Sequence, residues 1–220
     1  MPFSPLVLLA LIFLLSLLLV FIQLGLLSIT LAKLGLSPSS AMTLLLVSVT
    51  GSLVNLPLFK IDAEQPATPA IPSRLLSLLR QRMPPFTGQT TIAMNVGGCM
   101  VPIIFSLYLM QHNPLPLLDV LLAIAIVSSI SYFASRPIPG LGIGMPVLIA
   151  PLIAATAALL INPDLSAPLA YIGGTLGVLI GADLLRLKDI RRMGTPVAAI
   201  GGAGTFDGIF ITGIVAVILA

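Results

Sequence analysis

The run PLAYIGGTLGVLIGADLLRL, residues 168–187, decides the fold. From Pro168 to Ala182 it carries no charge, and at a rise of about 1.5 Å per residue the whole run reaches about 30 Å, the thickness of a bilayer's hydrocarbon core. Gly173, Gly177 and Gly181 recur every four residues on one stripe. Such a stripe lets a neighbouring helix come close in lipid, where apolar side chains gain nothing by meeting each other. The run predicts a membrane span packed through glycine, with one carboxylate, Asp183, five residues ahead of Lys188.

Six further runs have the same character, near Pro5 to Ala32, Ala41 to Phe59, Thr90 to Met110, Leu115 to Ala134, Met145 to Ile161 and Ala198 to Ala220. With 58% hydrophobic and 8% charged residues the chain has too few polar side chains to coat a water-soluble globule. The expected fold is all-α, a single transmembrane domain over 1–220 forming a polytopic helix bundle of about seven spans. The first run lacks a basic leader and exceeds a signal-peptide core, so it reads as a retained span.

Charge sets the orientation. The second, fourth and sixth connections hold Lys60, Arg74, Arg80, Arg82, Arg136, Arg186, Lys188, Arg191 and Arg192, whereas the odd ones hold only Lys33. Basic residues concentrate in cytoplasmic loops, which predicts the N-terminus inside and the C-terminus outside. The net charge of +3 is therefore a topology signal, the partner is the lipid bilayer, and no nucleic acid is implied. In the longest connection Ser73 caps a segment with Leu75, Leu76, Leu79 and Met83 at helical spacing before Pro84. It reads as an amphipathic helix over 73–83, lying on the inner membrane surface or packed on the bundle.

Standard catalytic sets are missing. Cys99 and His112 are the lone cysteine and histidine, so neither a histidine metal cluster nor a Ser/His pair at membrane depth can form. Lys33, Lys60 and Lys188 sit at span ends, and Gly140-Leu141-Gly142-Ile143-Gly144 lacks the strand-turn-helix context of a nucleotide loop. Two amides, Asn55 near Pro57 and Asn95 near Pro102, either bond each other or line a cavity.

Carboxylates remain. Burying one at bilayer depth costs roughly 2.5–3.5 kcal/mol, which marks it as a functional candidate. Asp119 lies at the outer end of its span. Asp183 falls roughly 8 Å from the interface, and Asp207 roughly 15 Å deep if its helix starts near Pro196. That mismatch shrinks if Gly201, Gly202 and Gly204 leave the start of the last span unwound. The alternative for Asp183 is a pair with Arg186, one turn on.

Asp183 near the end of the sixth span, a basic connection, and Gly202-Ala203-Gly204-Thr205-Phe206-Asp207-Gly208 opening the seventh resemble the core of the GxGD intramembrane aspartyl proteases, the presenilins and signal peptide peptidases. The resemblance implies Asp183 and Asp207 as the catalytic pair, a membrane-spanning peptide as substrate, and no metal or cofactor. Gly202, Gly204, Thr205 and Gly208 would shape the head of the last span. Thr205 and Phe206 separate Asp207 from the Gly-Ala-Gly, Ala182 precedes the first aspartate, and the family's Pro-Ala-Leu span is lacking. Pro137, Pro139 and Gly144, in the connection from Ser135 to Pro146, would replace that loop by re-entering beside the carboxylates, or else mark an ordinary turn. The whole chain, with its Gly-Gly-Ala-Gly-Thr-Phe-Asp-Gly-Ile-Phe ending, is similar to a family of uncharacterised prokaryotic multi-pass membrane proteins of unknown function, which places it in a prokaryotic cell membrane. The same carboxylates also fit a proton- or cation-coupled transporter or channel, or a non-catalytic scaffold in which they only cap and pair.

Overall fold

The computed structural model describes residues 25, 30, 32–64, 87–138, 142–202 and 208–220, and most of them are helical. Helix α1 (Pro38–Gly51) starts at Ser37, whose hydroxyl accepts the Ser40 amide, while Pro38 takes a first-turn position where its missing N–H costs nothing. Helix α2 (Val101–His112) continues a π-helical turn, Val96–Met100. Next come α3 (Leu117–Ala134) and α4 (Ile149–Ile161). Helix α5 (Ser166–Val178) is entered through a 3₁₀ turn, Pro163–Leu165, and prolonged by a second π-helical stretch, Leu179–Leu184. The last helix is α6 (Gly208–Leu219).

Helix α5 is the centre of the bundle, with Leu169, Ala170, Tyr171 and Ile172 fully buried. Its glycine stripe does what the spacing predicts. A Cβ at Gly173 would lie 3.1 Å from the Ala123 Cβ, one at Gly177 would lie 2.6 Å from the Val127 Cβ, and one at Gly181 would strike the Ser128 carbonyl. Helix α3 therefore rides directly on the backbone of α5. Its far side turns Leu117, Leu118, Leu121 and Phe133 outward. Among the described residues two helical runs, Leu117–Ala134 and Pro163–Leu184, are long and apolar enough to cross a membrane.

The chain is not all-α. Strands β1 (Asn55–Asp62), β2 (Gln89–Asn95) and β5 (Val197–Ile200) form a sheet in the order β1-β2-β5, antiparallel then parallel, and β3 (Arg136–Ile138) pairs with β4 (Gly142–Gly144) as a separate two-stranded unit. The sheet takes one end of the runs read as spans 41–59, 90–110 and 198–220. Short apolar stretches do not distinguish strand from helix by periodicity, and here β-branched Thr90, Thr91 and Ile92 belong to a strand. Pro57 is tolerated because β1 is an edge strand whose register breaks between Pro57 and Phe59. At the other end of the sequence, Gly201 and Gly202 take φ of +81° and +91°, a left-handed conformation that ends any helix from 198. Helix α6 begins at Gly208 instead.

Hydrogen bonds tie each end of the bundle together. At the sheet end Glu64 N–H donates to Arg191 O at 2.8 Å. There too Arg186 donates to the Tyr132 and Ser135 carbonyls at 2.6 and 2.9 Å. At the opposite end Lys33 Nζ reaches Val217 O at 3.4 Å, and Asn162 donates to Asp119 Oδ2 at 3.0 Å. The first apolar run, apart from Gly25, Thr30 and Ala32, and the amphipathic segment over 73–83 lie outside the described residues.

Candidate functional site

Asp183 stands in the π-helical stretch that prolongs α5. Such turns widen the helix by one residue and recur at functional sites. Here the widened turn leaves Asp183 half-buried, and its Oδ2 accepts the amide of Gly201 at 2.9 Å. Gly201 is the residue on which the chain turns out of β5. No side chain fits there, because a Cβ would meet Cys99 N and Gly98 C at 2.7 Å. The contact between the head of α2 and the turn after β5 is thus backbone against backbone, and it presents the Gly201 N–H to the carboxylate.

Around Asp183 opens a cavity of about 340 Å³, lined by β5, by Ile138 and the strand Gly142–Gly144, and by Thr195 and Gly202. One ordered water needs only roughly 15 Å³, so water and a peptide group fit together. Thr195 is 3% exposed and its hydroxyl has no hydrogen-bond partner among the described residues, which costs on the order of 1–3 kcal/mol unless something in the cavity bonds it. A larger groove, of about 570 Å³, runs between α1 and α2, but it is lined by aliphatic side chains, Phe105, Tyr108 and small hydroxyls with no carboxylate. Of the two, the first has a carboxylate in its lining.

Of the residues picked out in the sequence, Asp183, Gly202 and Gly144 share that cavity. Pro137 lies in β3 opposite Ile143, exposed, and is absent from the lining. Gly208 opens α6. Asp207, Gly204, Thr205 and Pro139 lie outside the described residues. The pairing imagined between Asp183 and Arg186 is not what the guanidinium makes: Arg186 bonds Asp189 at 2.9 Å and stacks over Tyr132 with its Cζ 4.3 Å from the ring centre. Both acids stand three residues from Arg186, so spacing alone could not choose.

The two asparagines do bond each other, Asn95 Nδ2 to Asn55 Oδ1 at 2.9 Å, as a facing pair across β1 and β2 rather than between helices. Asn95 is 1% exposed, gives its second amide hydrogen to Ser52 O at 2.8 Å, and accepts the Gly98 amide at 2.7 Å. Sequence reading missed Thr195, and named Gly201 only among the glycines that unwind the head of the last span. A threonine after a glycine carries no mark of a lonely hydroxyl, whereas the Gly201-Gly202 doublet was a legible turn signal.

The family described as "Protein of unknown function (DUF1614)" matches residues 49–219, and the chain belongs to it. This agrees with the expectation of a family without an assigned activity. No curated protein and no solved structure matches the chain.

Proposed function

We propose that the protein is an integral membrane protein of about seven spans, N-terminus inside and C-terminus outside, that hydrolyses peptide bonds in membrane-spanning substrates with Asp183 and Asp207. The observation that carries this reading is the seat of Asp183: a carboxylate in a π-helical turn, fastened to the Gly201 amide at the edge of a cavity of about 340 Å³. The chain that leaves Gly201 and Gly202 leads within a few residues to Asp207, directly before α6. The outward apolar face of α3 supports the bilayer as solvent. Lys60 on β1, Arg136 on β3, and Arg186, Lys188, Arg191 and Arg192 in the segment between α5 and β5 support the end that carries the strands as the inner one.

Two carboxyl groups at short range share one proton, since both cannot ionise together. The ionised member takes a proton from water as the oxygen attacks the scissile carbonyl, and the protonated member gives its proton to the carbonyl oxygen. As the gem-diol collapses, the newly protonated member gives its proton to the departing amine and the other takes one back from a gem-diol hydroxyl as the carbonyl reforms, so the pair again holds one proton. The test uses purified full-length protein and a model membrane-spanning peptide. Asp183→Asn and Asp207→Asn should each lower cleavage by about 10³-fold or more, with unchanged folding and no response to chelators. Cleavage that survives in either variant would exclude a two-aspartate mechanism.

A further inference from the structure

A second cavity, of about 500 Å³, lies between β1, β2 and the turns that follow α5. Its lining joins apolar side chains, Phe59, Ile61, Ile92 and Leu187, to Lys188, Arg191 and Arg192, with Glu64 the one acid among the described lining residues. The hydrogen bond from Glu64 N–H to Arg191 O at 2.8 Å pins the end of β1 to the 3₁₀ turn Asp189–Arg192 and so fixes the shape of the pocket. Among the described residues the one ion pair is Arg186 with Asp189, so Lys188, Arg191 and Arg192 are left without acidic partners. Three exposed cations held within five residues repel one another and raise the local concentration of anions.

An aqueous anion would need no apolar lining. The neighbouring side chains on β1, Leu56, Leu58 and Phe59, are 40–51% exposed, and the pocket sits where the long apolar run Pro163–Leu184 gives way to charged residues. A phosphate attached to acyl chains matches both the basic and the apolar lining, because headgroups lie at that level and basic pockets at helix ends recognise them.

We infer that this cavity binds the phosphate of an anionic phospholipid headgroup, with the acyl chains lying against the apolar side chains of β1. The inference rests on α5 crossing the bilayer and is independent of the peptidase chemistry. Full-length protein is exchanged into phosphatidylcholine with and without phosphatidylglycerol, and bound lipid is read by native mass spectrometry. Phosphatidylglycerol should be retained over phosphatidylcholine. At about fivefold per cation, Arg191→Gln should weaken that retention about fivefold and the Lys188→Gln/Arg191→Gln/Arg192→Gln variant by on the order of 100-fold. Arg136→Gln, an exposed cation outside the cavity, serves as the charge control and should change it less than about twofold. The single variant carries the test if the triple one misfolds, and Asp183→Asn should bind lipid like the parent, which separates this site from the peptidase reading. Equal retention by parent and Arg191→Gln, or an equal loss in Arg136→Gln, overturns the site. Displacement of the lipid by inorganic phosphate overturns the lipid as the source of the phosphate.

Discussion

Two strand-to-helix units lie side by side and parallel in this molecule: β2 leading through the turn Val96–Met100 into α2, and β5 leading through Gly201 and Gly202 toward α6. In each, an amide of a glycine turn is bonded by a side-chain oxygen. In the first the acceptor is Asn95, which bonds Gly98 N–H at 2.7 Å and spends both its own hydrogens on Ser52 O and Asn55 Oδ1. In the second it is Asp183, reaching over from another helix to Gly201 N–H at 2.9 Å on the edge of an open cavity. The neutral amide closes its turn completely, while the carboxylate lines a cavity. A strand that runs into glycine is thus met once by an amide that seals the turn and once by an ionisable group at the edge of a cavity.

Exchanging the two acceptors breaks the comparison most strongly. Asn95→Asp removes two donors from a site 1% exposed and turns a carboxylate toward the Ser52 carbonyl and the Asn55 amide oxygen. Loss of roughly 3–5 kcal/mol is expected, read as a lower unfolding midpoint in detergent. Asp183→Asn keeps an oxygen for Gly201 and should stay within about 1 kcal/mol of the parent. If the two exchanges cost the same, the division into a sealing turn and a working turn is wrong.

A smaller effect is expected at the contact between the units. Gly201→Ala forces a side chain into φ of +81° and to 2.7 Å from Cys99 N and Gly98 C, backbone atoms that cannot swing aside. About 2–3 kcal/mol of destabilisation follows. Gly144→Ala offers the contrast, since the Cβ would meet only the flexible Ile138 Cδ1 and should cost well under 1 kcal/mol. Equal costs at the two glycines would mean that the turn after β5 does not rest on the head of α2.

What was legible in the sequence follows a physical line. An apolar composition favours helices, and close helix packing writes itself into the spacing of Gly173, Gly177 and Gly181, so the mostly helical bundle and the seam of α3 on α5 could be read. The partnership of Asn55 with Asn95 was also legible, because two amides in apolar runs must bond something. Their element type was not, since Ile92 and Ala93 are as apolar in a buried strand as in a span. The late start of α6 was legible only as a condition, in that the glycines had to leave the head of the last span unwound. The partner of Arg186 was ambiguous by symmetry, with Asp183 and Asp189 equally spaced around it.

The smallest expected change sharpens the comparison from the cavity side. Thr90 and Thr195 are both buried, at 0% and 3% exposure, yet Thr90 Oγ1 donates to Thr195 O at 2.6 Å while Thr195 Oγ1 has no partner among the described residues. Valine has the same shape without the hydroxyl. Thr90→Val therefore loses a made bond and should cost about 1 kcal/mol, whereas Thr195→Val deletes an unmade one and should leave stability unchanged or higher by up to about 1 kcal/mol. The picture reverses for the reaction. If a substrate peptide group bonds the Thr195 hydroxyl, Thr195→Val should lower kcat/KM on the membrane-spanning peptide about fivefold, mainly through KM, with Thr90→Val nearly without effect. A Thr195→Val protein that melts well below the parent would show that the hydroxyl is already satisfied in the folded chain. One that cleaves like the parent would show that the substrate passes Asp183 without touching the wall beneath β5.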